Sequence, residues 1–90
     1  NQVIRENNNV ASLYIGRAET YILWGKLLDA DKDIARALEL APDDPFVYIL
    51  RAYSKIARYE YADAVRDVER ARELGYNPIT CDNLIQEIMK

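Results

Sequence analysis

Ninety residues suffice for one small core and leave no room for a second. Half of them are hydrophobic and 30% are charged, which excludes a disordered chain, and at a net charge of −3 no cluster of Lys and Arg is free of interleaved acids, so nucleic acid finds no cationic stripe to follow. No apolar stretch approaches the ~20 residues of a membrane-spanning helix, and membrane insertion is not expected.

Three prolines and three glycines leave few turns, which favours long helices. The chain begins with asparagine and carries no signal-peptide layout, so the expectation is a processed form or a piece of a longer protein. A single cysteine, Cys81, forms no internal disulfide. That points to a reducing, cytoplasmic compartment, with the periplasm also compatible.

Shifted by 34 places, residues 11–44 lie on residues 45–78 with twelve identities, where unrelated stretches of average composition give roughly two. Tyr14/Tyr48, Ile15/Ile49, Arg17/Arg51, Ala18/Ala52, Ala30/Ala64, Asp33/Asp67 and Ala37/Ala71 are among the matched pairs. A period of that length predicts stacked helix pairs.

In chain order, residues 1–10 form an N-terminal segment. Gln2 to Glu6 aligns with the tail of a second helix and reads as the remnant of an upstream unit. A helix from about Ala11 to Trp24 stops at Gly25, and a second from about Leu28 to Ala41 is ended by Pro42. Asp43 and Asp44 supply caps for a third, from about Pro45 to Arg58. The fourth covers about Tyr61 to Leu74. Tyr59 stands where the first unit has Gly25, so this turn must close without glycine. Residues 79–90 predict a closing helix with apolar Leu84, Ile85, Ile88 and Met89. Alanines 18, 30, 52 and 64 sit where paired helices should cross and let the backbones approach closely.

Tyr14, Ala18, Tyr21, Gly25, Ala30, Ile34, Ala37 and Pro42, with the run Ala37-Leu38-Glu39-Leu40-Ala41-Pro42-Asp43-Asp44-Pro45, resemble the tetratricopeptide repeat. The resemblance spans residues 11–78, and it is weaker in the second unit, where Lys55 replaces an aromatic residue and Tyr76 a proline. It implies an all-α fold, a right-handed superhelix (solenoid) of antiparallel helix pairs. It also implies that the first helix of each pair lines a concave groove.

Chemistry-bearing residues are few. Without histidine, the lone Cys81 makes a poor nucleophile, and no Gly-rich phosphate loop is present. Asp29, Asp31 and Asp33 resemble the opening of a calcium loop, but Ile34 and Leu40 fill the places that need Gly and Glu. Asp33 and Asp67 are read instead as helix-surface acids. No catalytic residue, metal or cofactor is expected. Arg17 and Arg51 are expected to pair with acids of a neighbouring helix.

A helical wheel spreads apolar residues over more than half of the third helix, wider than the ~100° its own core needs. Mapped onto the implied concave surface, Ile15, Glu19, Ile22 and Leu23 of the first unit and Phe46, Ile49, Leu50, Tyr53 and Ile56 of the second become the partner-binding candidates. The expected partner is a protein, as a helix or extended peptide. Two alternatives stay open: the groove is covered by the N-terminal segment or the closing helix, or the chain is a structural segment of a longer array that self-associates as a homodimer or regulates an attached domain.

Overall fold

The computed structural model describes the backbone of residues 2–90 and the side chains of residues 10–90. Five α-helices follow one another: α1 Gln2–Leu23, α2 Leu27–Leu40, α3 Pro45–Ala57, α4 Tyr61–Glu73 and α5 Pro78–Ile88. Among the described residues there is no strand. The chain divides into two compact units, residues 1–43 and 44–90.

In the first unit α1 packs on α2. Ala11, Ala18, Ala30, Ile34 and Ala37 are buried between or along them, as the small-residue crossing requires. The backbone of α1 runs on from Gln2 without the break that the repeat register places before Ala11. The reading of residues 1–10 as an upstream remnant rests on side chains outside the described residues.

In the second unit α3 packs on α4 and α4 on α5. Ile49, Ala52, Ala64, Val68, Ala71 and Cys81 form the core, completed by half-buried Phe46, Tyr48, Ile56, Tyr76, Leu84, Ile85 and Ile88. Burying an Ile or Val of this kind stabilises by about 1.5–3 kcal/mol.

Caps and turns explain where the helices begin and end. The Asp44 carboxylate accepts from the Phe46 N–H at 3.0 Å with Pro45 in the first turn of α3. Asn77 does the same for Ile79 and Thr80 at the start of α5, behind Pro78. Three helix ends share one closure, the Schellman arrangement. Lys26 N–H donates to the Tyr21 carbonyl and Gly25 N–H to that of Ile22; Glu60 with Lys55 and Tyr59 with Ile56 repeat it, as do Tyr76 with Ala71 and Gly75 with Arg72. The closure needs a left-handed residue. Gly25 and Gly75 supply it at φ 78° and 105°, and Tyr59 adopts φ 65° although it carries a side chain.

Among the described residues no helix is long and apolar enough to cross a membrane.

Candidate functional site

The repeated arginines meet the repeated aspartates. Arg17 Nε and Nη2 each donate at 2.7 Å to the two oxygens of Asp33, and Arg51 donates to those of Asp67 at 3.1 and 2.9 Å. Lys55 Nζ adds a third contact to Asp67 at 3.1 Å. This corrects the placement of Asp33 and Asp67 on the helix surface. Both are only 4% exposed, and each ties the first helix of its unit to the second. A helix wheel hides such a bond because its partners lie sixteen residues apart.

The hydrogen bond and charge of Asp33 hold the Arg17 guanidinium above its ordinary range. Arg70 is raised in the same direction by donating to the Tyr48 hydroxyl and, secondarily, to Glu73. Burial pushes the Cys81 thiol up, opposed by nearby Arg72, so it stays protonated near neutral pH. Each of these groups belongs to the packing of its own unit.

The nine expected partner-binding residues separate into three classes. Ile49 and Leu50 are each only 2% exposed, so neither offers surface to a partner. Ile49 belongs to the core shared with α4 and α5, because the closing helix and its preceding turn take up the apolar stripe that the wheel left open. Tyr76 in that turn stacks on Phe46, ring centroids 6.4 Å apart. Phe46 and Ile56 are therefore half-buried against the core, and Ile15 and Ile22 in the first unit are half-buried too. Only Glu19, Leu23 and Tyr53 are exposed.

The second unit carries a cleft of about 490 Å³ between α3, α4 and α5. Tyr53 and Ile56 form one wall, Tyr61 another, and Leu84 and Ile88 the third, with Glu87 and Lys90 at the rim. A neighbouring cleft of about 460 Å³ shares Tyr61 and Ile88 and adds Ala62, Val65 and Met89, with Arg66 and Glu69 at its edge. Tyr59, 79% exposed, stands edge-on to Tyr61 at 6.2 Å. The site thus keeps two sequence-derived members, Tyr53 and Ile56, and gains Tyr61, Leu84 and Ile88. The substitution of Tyr59 for the glycine of the first unit is the sequence signal that marks this corner.

The first unit has apolar exposure of its own. Val10, Leu13, Tyr14 and Arg17 line a depression on α1, and Leu23, Trp24 and Leu28 project around the α1–α2 turn.

No family model matches the chain. It is 32% identical over 89 residues, 99% of its length, to the protein SGT1 homolog of Oryza sativa subsp. japonica. It is 33% identical over 64 residues, 71% of its length, to the DnaJ homolog subfamily C member 7 homolog of Dictyostelium discoideum. The chain spans 23% and 12% of these curated relatives, so it is similar to one segment of each much longer protein.

Proposed function

We propose that the chain is a tetratricopeptide-type module, a solenoid segment that binds a protein partner through the tyrosine-lined cleft of its second unit and catalyses nothing itself. The observation carrying this reading is the cleft between α3, α4 and α5, where Tyr53, Ile56, Tyr61, Leu84 and Ile88 leave apolar surface open beside a finished core. An apolar groove rimmed by polar groups is a common seat for a partner helix or peptide. Catalysis finds less support, since Asp33 and Asp67 are held in ion pairs and Cys81 is buried. The 34-residue period and the segmental likeness to two longer proteins support a module that works inside a larger chain.

The test is affinity capture on the immobilised chain, with bound proteins identified and compared across variants. Tyr53→Ala and Tyr61→Ala should deplete a common set of proteins, while Glu39→Ala, at an exposed position of α2, should keep it. Circular dichroism should show equal helicity in all three. Retention of the same proteins at the same level by both tyrosine variants refutes the cleft as the binding surface.

A further inference from the structure

We propose that the tyrosine corner of the second unit takes a cationic amphipathic peptide, with apolar residues in the two clefts and Lys or Arg heads against the open rings and the carboxylates of Glu60 and Glu69. The proposal rests on the binding role argued above and adds the chemistry of the partner.

The first support is Tyr59. It occupies the left-handed position that Gly25 fills at the equivalent turn, a conformation that side chains with a Cβ resist. Its ring is not part of the core and stands in an edge arrangement with Tyr61. A strained residue that contributes little to packing points to a role outside the fold.

The second support is how this chain treats its other rings. Arg17 lies over Tyr14 and Tyr21, Arg51 over Tyr48 and Lys26 over Trp24, all within 6 Å of the ring centres. Among the described residues no cation covers Tyr53, Tyr59 or Tyr61.

Charge is the third. Around the clefts the cations are already committed: Lys90 to Glu87 at 3.5 Å, Arg66 to Asp63 at 3.2 Å, and half-buried Arg58 inward to the Ser54 hydroxyl at 3.1 Å. Glu60, between the two tyrosines, and Glu69, at the second cleft, are exposed and make no ion pair among the described residues. With Arg58 turned into the interior, the unpaired charge that faces solvent at the clefts is that of Glu60 and Glu69, and its complement is a base.

Two fluorescent synthetic peptides with identical apolar residues, one flanked by Lys and Arg and the other by Glu, decide the matter by anisotropy. The basic peptide should bind about tenfold more tightly, the scale of two exposed charge pairs. That preference should shrink as salt rises from about 50 to about 300 mM. Glu60→Gln with Glu69→Gln should abolish it at unchanged helicity. Tyr59→Gly should weaken the basic peptide while raising the unfolding midpoint, a split that a merely structural tyrosine would not give. Equal binding of both peptides, lost in Tyr53→Ala, overturns the cationic partner and leaves the cleft reading standing. Binding of neither, or binding indifferent to Tyr53→Ala, overturns both.

Discussion

Asp67→Asn keeps the volume of a buried side chain and removes the charge on which three donors converge. Arg51 contributes Nε at 3.1 Å and Nη2 at 2.9 Å, and Lys55 contributes Nζ at 3.1 Å. With its oxygen at the Oδ2 place, the amide keeps Arg51 Nε and Lys55 as donors to a now neutral acceptor, and its NH₂ turns on Arg51 Nη2, so one of the three contacts is lost and the other two lose their charge. A hydrogen bond to a charged group is worth about 1.5–3 kcal/mol when buried. Here the Arg51 and Lys55 side chains keep 36% and 25% of their exposure, and water recovers part of that value. The expected loss is about 2–3 kcal/mol, which for a chain of this size lowers the thermal midpoint by roughly 10–20 °C. Asp33→Asn is the internal control. Its clamp lacks a second cation, because Tyr21 stands where the second unit has Lys55, and Arg17 is more exposed than Arg51. Thermal and urea unfolding followed at 222 nm by circular dichroism should therefore rank Asp67→Asn as the more damaging change. A smaller midpoint shift for Asp67→Asn than for Asp33→Asn would refute the reasoning from converging donors.

Ile49→Ala should cost about 2–5 kcal/mol in urea unfolding, because it opens a cavity in the core, whereas Tyr53→Ala at the rim should cost under about 1 kcal/mol. Equal costs would place both residues in the same environment. Gly75→Ala should destabilise by about 1 kcal/mol through backbone conformation alone, since no atom lies within 4 Å of the added methyl. Tyr59→Gly should stabilise by about 0.5 kcal/mol, the left-handed penalty less the edge-on ring pair; a lowered midpoint there would show the ring to be structural. The raised Cys81 thiol gives a pH test. Its stabilising contribution is fully present below the unfolded value of about 8.5 and is lost as pH rises through the higher folded value. Between neutral and alkaline pH the urea midpoint of the parent should fall more than that of Cys81→Ala, and parallel curves would sink the assignment.

Local pattern and period determined a great deal here without tertiary information. The 34-residue period, the alanines at the crossings and the breaks at Gly25 and Pro42 specify helix pairs, because small residues, caps and left-handed positions act over a few residues of chain. Asp44 as a cap and Arg17 and Arg51 as partners of acids on the next helix follow from the same reading. Only the tertiary structure decided which apolar faces stay open. Hydrophobic attraction is non-directional, so a wheel shows that Phe46, Ile49 and Ile56 seek cover but not that Tyr76, Leu84, Ile85 and Ile88 provide it. Asp33 and Asp67 become core groups for a related reason: an acid in a helix reads as solvent-facing until the arginine that neutralises it arrives from another helix. The cleft follows from the first of these effects, since it is the gap left at the edge of α5 after the closing helix has buried the rest of the stripe.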